Sequence, residues 1–121
     1  MTAAKRQPLV AFLYSVPLLH EALLSTLDSI ADVQAFPAGR GDVTGLLRSV
    51  KPDAIVVDDA DEADEARSWA KRHHVPLVHI CLRDQKIRVL RNGGWEETAG
   101  AGAETIRNVL AGSLYGRGNG S

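Results

Sequence analysis

The chain has a single cysteine, Cys81, among its 121 residues. One thiol excludes an internal disulfide and a cysteine-rich metal site. Long apolar runs are missing too: no stretch approaches the roughly 20 apolar residues that a membrane-spanning helix needs. Charge of one sign is not in excess, with 14 Lys and Arg against 15 Asp and Glu. That balance gives no general electrostatic reason to bind nucleic acid or an anionic lipid surface. The opening residues, Met1 to Pro8, form a short polar lead into an apolar strand and do not read as a signal peptide. These absences predict a cytoplasmic chain. What is present, 45% apolar and 24% charged residues, is the composition of one soluble domain with a moderate core. No internal repeat or linker divides it, so residues 1–115 are expected to form one domain and 116–121 a flexible, glycine-rich tail.

Apolar runs and helical spacings alternate along the chain. Pro8 to Ser15 reads as a strand buried on both faces. A helix follows, with Leu19, Leu23, Leu27 and Ile30 on one face and Pro17 in its first turn. Asp32 to Phe36 reads as a less buried strand that meets Pro37 and Gly39. Asp42 is placed to cap a short helix whose apolar face is Val43, Leu46, Leu47 and Val50. Ala54 to Val57 is rich in β-branched residues and reads as a central strand. Asp61 to His73 is helical, with Ala63, Ala66, Trp69, Ala70 and His73 near one face. Its acids come first and its bases later, as the helix dipole favours. Val75 to Leu82 is a further strand, and Ala103 to Tyr115 a last helix.

One stretch breaks the alternation. Only Arg83, Asp84 and Gln85 separate Leu82 from Lys86. Three residues cannot return the chain for a parallel strand, but they can close a hairpin. Lys86 to Leu90 should therefore run antiparallel to the strand before it. Arg91-Asn92-Gly93-Gly94 is a second turn signal, and Trp95-Glu96-Glu97 should return as a short third strand. The expected architecture is α/β, a three-layer, mainly parallel open sheet with an antiparallel hairpin near the carboxyl end.

Three segments carry a likeness: Leu13 to Leu23, Lys51 to Asp58 and Val75 to Cys81. Through them the chain resembles the receiver domain of bacterial response regulators, and more closely the degenerate pseudo-receivers, over residues 8 to about 82. The resemblance implies a flavodoxin-like fold. It also places Asp58 at the position of the phosphate-accepting aspartate. The family's chemistry needs further acids after the first strand to hold a divalent cation, a hydroxyl after the fourth strand, and a lysine after the fifth. Here Tyr14 and Ser15 occupy the acid pair's place, Cys81 stands at the hydroxyl's place, and no Lys-Pro pair ends a fifth parallel strand. A lone carboxylate without the metal's other ligands stabilises little of the transferred charge.

Other candidates have bland readings beside them. Asp58, Asp59, Asp61, Glu62, Asp64 and Glu65 form either a cation site or a solvated helix start, and the second is preferred. Gly39-Arg40-Gly41-Asp42 lies before a helix and is open to an anion, but it lacks the P-loop ending. His73 and His74 diverge by about 100° on a helix and suit a helix end better than a metal. Cys81 reads as a small buried residue. The hairpin is more informative. Ile87 and Val89 should face a core, and Lys86, Arg88 and Leu90 the opposite side. Arg88, Leu90, Arg91 and Trp95 form the candidate interaction surface, since Arg and Trp are enriched at binding hot spots.

The expected function is non-catalytic: a regulatory protein–protein interaction module that works without aspartyl phosphorylation and without a cofactor. Its partner is another protein or a second copy, as in a homodimer. No DNA-binding element is visible in the sequence. Two alternatives stand beside this. One is an atypical phosphate-accepting receiver, with Asp58 as nucleophile and Asp59 or Asp61 supplying metal oxygens. The other is a small-molecule or nucleotide sensor using the Gly39-Arg40-Gly41 loop and Arg83.

Overall fold

The structure, a computed structural model, describes residues 8–37, 39, 41–91, 94–100 and 102–115. Arg40, the Asn92-Gly93 turn and the 116–121 tail lie outside the described residues, as do the first seven residues. The elements in chain order are β1 (Leu9–Tyr14), α1 (Pro17–Leu27), β2 (Asp32–Pro37), α2 (Val43–Val50), β3 (Ala54–Val57), α3 (Ala60–His73), β4 (Leu77–Cys81), β5 (Lys86–Arg91), β6 (Gly94–Ala99) and α4 (Ala103–Tyr115).

Local chemistry sets the helix ends. Pro17 occupies the first turn of α1, where its missing N–H costs nothing. The Asp42 carboxylate accepts the Gly45 N–H at 2.9 Å and caps α2. Lys51 then turns left-handed (φ 54°) and Pro52 follows, so α2 stops. Asp59 caps α3 by accepting the Glu62 N–H at 3.0 Å. The far end of α3 carries Lys71, Arg72 and His73 in its last turn and closes on left-handed His74 (φ 57°).

Six strands form one mixed sheet in the order β2-β1-β3-β4-β5-β6. Strands β2, β1, β3 and β4 run parallel; β4–β5 and β5–β6 are antiparallel. The mainly parallel sheet with an antiparallel carboxyl end differs from the expectation in detail. Two of the five strand pairings are antiparallel, and β6 is a full six-residue strand, Gly94–Ala99, not a three-residue return. The reason is register. Once Cys81 pairs with Lys86, β5 continues to Leu90 opposite Leu77, and β6 follows it back from Gly94 to Ala99.

Strand alternation divides the apolar residues between two cores, one on each face of the sheet. On one face Val10, Phe12, Val56, Val78, Ile80, Ile87 and Val89 meet Leu23 and Leu27 of α1 and Ile106 and Leu110 of α4. On the other, Ala11, Leu13, Ile55, Val57, Leu77 and Leu90 meet Val43 and Leu47 of α2 and Ala63, Ala66, Trp69 and Ala70 of α3. The inward face predicted for α3 included His73. That residue is exposed, stacked on Trp69 at 4.1 Å between ring centroids. Its Nδ1 lies 3.0 Å from the Trp69 carbonyl oxygen, so it closes the helix end.

The helix α4 packs against α1 and the sheet within the first of these cores. Truncating Leu110, which is fully buried, to Ala should lower the unfolding free energy by about 2–5 kcal/mol. Leu18→Ala, at a position 79% exposed, should change it by no more than about 0.5 kcal/mol. Urea denaturation of the two variants measures both, and equal losses would contradict this packing.

Candidate functional site

Two regions gather chemistry-bearing side chains. The first lies at the carboxyl ends of β1, β2 and β3, where open α/β sheets commonly bind ligands. Asp58 follows β3 directly. One of its carboxylate oxygens accepts the Ser15 N–H and the Ser15 hydroxyl, both at 2.8 Å. The other accepts the Val16 N–H at 3.2 Å. Ser15 and Val16 lie just before α1, so these N–H groups precede the helix and belong to its positive end. The carboxylate thus ties the end of β3 to the start of α1. The residue expected as a free phosphate acceptor has both oxygens engaged inside the protein.

The residues expected to add metal oxygens do not join Asp58. Asp59 is spent on its own helix cap. Asp61 is exposed on the first turn of α3. Among the described residues, no group of three or more His, Cys, Asp and Glu is arranged to hold a metal ion.

Glu62 behaves differently from its neighbours. It is only 6% exposed. Its Oε2 accepts the Gly39 N–H at 2.8 Å, while Oε1 is buried with no hydrogen-bond partner. Burial is the main cause that raises its pKa, against the Gly39 hydrogen bond, and the carboxylates of Asp59, Glu65 and Asp58 add to the rise. Together with Gly39, Gly41, Asp59, Asp61 and Glu65, it lines a notch of about 400 Å³. Within the loop read as open to an anion, the Gly39 N–H is therefore taken by an internal carboxylate. Arg83, the other half of the nucleotide reading, follows β4, three strand spacings from the β2 edge, or about 14 Å. Arg40 lies outside the described residues. The loop and Arg83 are not brought together.

The second region is the sheet face beyond α3. Cross-strand rows place Leu77, Leu90 and Trp95 side by side, then His79, Arg88 and Glu97, and then Cys81 and Lys86. The Arg88 guanidinium lies 4.6 Å from the centroid of the Trp95 ring, a cation–π arrangement. Glu97 lies 3.7 Å from Arg88 Nε and 3.4 Å from Lys86 Nζ. The Arg88, Lys86 and Glu97 side chains are 37%, 38% and 54% exposed, so these pairs form at the surface. Pairs of that kind hold orientation more than they add stability. Burial and then the Arg88 charge lower the pKa of His79, favouring its neutral form. Burial raises that of Cys81 despite the opposing charges of Arg88 and Lys86, so the thiol stays protonated.

Of the expected interaction residues, Arg88 and Trp95 stand together at this surface. Leu90 does not belong to the exposed set: it is 3% exposed and packs in the core beneath Trp95. The side chain of Arg91 lies outside the described residues. Glu97 was not singled out from the sequence, although strict alternation across the turn would have set it opposite Arg88. Glu62 had a signal too, at the third helical position after the Asp59 cap, as in a capping box. Its side chain reaches the β2–α2 loop instead of its own helix end.

Comparison of the chain with protein-family models, with curated proteins and with solved structures finds no match to any of them.

The Glu62 environment generates a pH dependence. A raised folded-state pKa means the native state holds that proton more tightly than the unfolded chain. Its stabilising share is complete below the ordinary glutamate range and is lost as pH rises through the folded value. Glu62→Gln keeps an acceptor for the Gly39 N–H and removes the charge. Its unfolding midpoint relative to the parent chain should be highest near neutrality and fall as the pH is lowered. Thermal melts from roughly pH 4 to pH 8 measure this, and a difference that does not vary with pH would refute it.

Proposed function

We propose that this chain is a non-catalytic regulatory protein–protein interaction module of the pseudo-receiver kind. It binds through the β4–β5–β6 face, on the side of the sheet that carries α2 and α3. The parallel order β2-β1-β3-β4, with helices on both faces and an acid after β3, supports a three-layer, receiver-like ancestry. The engagement of both Asp58 oxygens supports signalling without phosphorylation. Among the described residues no helix is long and apolar enough to cross a membrane, and the cytoplasm is the proposed location.

One observation carries the reading. No helix intervenes between β4 and β5, so the face beyond α3 is left to Lys86, Arg88, Trp95 and Glu97. A Trp packed under an Arg, above a buried Leu, is a rigid amphipathic anchor with little conformational entropy to lose on binding. The rim is basic with one acid, which suits a partner segment presenting apolar and acidic side chains. The free edge of β6 carries exposed Glu96 and Glu97, and charge on an edge opposes pairing of two copies edge to edge. Self-association, where it occurs, therefore uses the face and not the edge.

Sedimentation velocity of the pure chain, with affinity capture from its native cell extract, tests this. A partner or self-complex is expected whose affinity falls at least about 30-fold in Trp95→Ala, the scale of a hot-spot residue. Arg88→Ala should weaken the same complex. A complex insensitive to both substitutions would contradict the reading.

A further inference from the structure

We infer that this chain assembles head to tail, with the exposed side of α1 in one copy docked on the β5–β6 face of the next. The inference rests on that face being a binding surface, as argued above, and names its occupant. Among the described residues the exposed large apolar side chains are Leu18, at 79%, and Leu24, at 37%, and both belong to α1. A single exposed leucine is ordinary. These two stand with exposed Glu21 and Asp28, and no Lys or Arg occurs from Pro17 to Asp28. Helical geometry puts Leu18, Glu21 and Ser25 in one row, with Leu24 and Asp28 beside it. The solvent side of α1 is therefore apolar and acidic, the complement of a Trp with a basic rim.

Length and charge match as well. From Leu18 to Asp28 the chain rises about 15 Å along the helix axis. On the sheet face, the row of Leu90 and Trp95 lies four residues along β5 from Lys86, or about 14 Å. With Leu18 set over Trp95, Glu21 comes near the Arg88 row and Asp28 near Lys86. Those two bases share one carboxylate, Glu97, at 3.7 Å and 3.4 Å, which leaves the face with positive charge for a further acid. Topology then decides the form of the assembly. The helix α1 packs on the sheet face that bears Phe12 and Val56, at the β1–β2 end. Trp95 lies on the opposite face, at the β5–β6 end. The two surfaces point away from each other, so no copy can satisfy itself and no two-fold axis can engage both surfaces of a pair. Each contact leaves one α1 and one β5–β6 face unused, and further copies add until a ring closes or a filament extends.

Sedimentation velocity of the whole chain, at concentrations rising to about 1 mM, tests this. The average sedimentation coefficient should climb past that of a dimer. Leu18→Glu on α1 and Trp95→Ala on the sheet face should each weaken association at least about tenfold. An equimolar mixture of the two variants should form a one-to-one heterodimer and grow no further, since it holds one intact α1 surface and one intact sheet face. Arg88→Glu, at the exposed surface, takes the place of Trp95→Ala if that variant folds poorly. Three results would each overturn the assembly: a chain that stays monomeric throughout, a self-complex that Leu18→Glu leaves intact, or variants that do not pair when mixed. A monomeric chain that captures another protein through Trp95, with no dependence on Leu18, would leave the face as a binding surface and remove only the occupant named here.

Discussion

Four residues, Leu82–Gln85, join β4 to β5, and most of the molecule's character follows from that length. A parallel strand requires a crossover of a dozen or more residues, normally a helix. With four, the chain can only turn back. The antiparallel strand β5 that results is covered by helices mainly on one side, with Leu90 entering the core on the other. Ile87 and Val89 reach the core beneath α1 and α4, while Lys86 and Arg88 point to the other face. The same short turn therefore removes a covering helix and replaces it with charged and aromatic side chains. Exposure there is a product of chain connectivity and not of local hydrophobicity.

The acids at the carboxyl end of the sheet obey a second constraint. Backbone N–H groups before α1 and in the β2–α2 loop need acceptors once they leave water. Asp58 supplies one set and Glu62 the other. Each carboxylate thereby acts as the anion that such a site might otherwise collect from solution. The two differ in completeness. Both Asp58 oxygens are occupied, whereas Glu62 leaves one oxygen bare. The first is a finished structural bridge, and the second satisfies one backbone donor through a single oxygen.

Much of the fold was legible in the sequence because its determinants are local. The apolar spacing of Ala103 to Tyr115 gave the limits of α4, and Asp42 marked the start of α2. The three residues after Leu82 forced the hairpin. The site was less legible because its contacts are distant. Ser15 and Asp58 are 43 residues apart, and Gly39 and Glu62 are 23 apart. No periodicity reports such pairings. Leu90 was assigned the right face but the wrong exposure, since alternation gives direction and not depth. Trp95 covers it from the neighbouring strand, and only the β5–β6 register reveals that. His73 had the spacing of an inward residue, yet the left-handed close of α3 at His74 leaves it stacked outside Trp69.

If the Asp58 carboxylate serves as a bridge and not as a nucleophile, phosphoryl donors should leave the chain unchanged. Incubation with acetyl phosphate and millimolar magnesium, followed by intact-mass analysis, measures this most directly. The expected result is an unmodified protein with unaltered Ser15 and Val16 amide signals. A stoichiometric phosphoryl adduct that Asp58→Asn abolishes would contradict it.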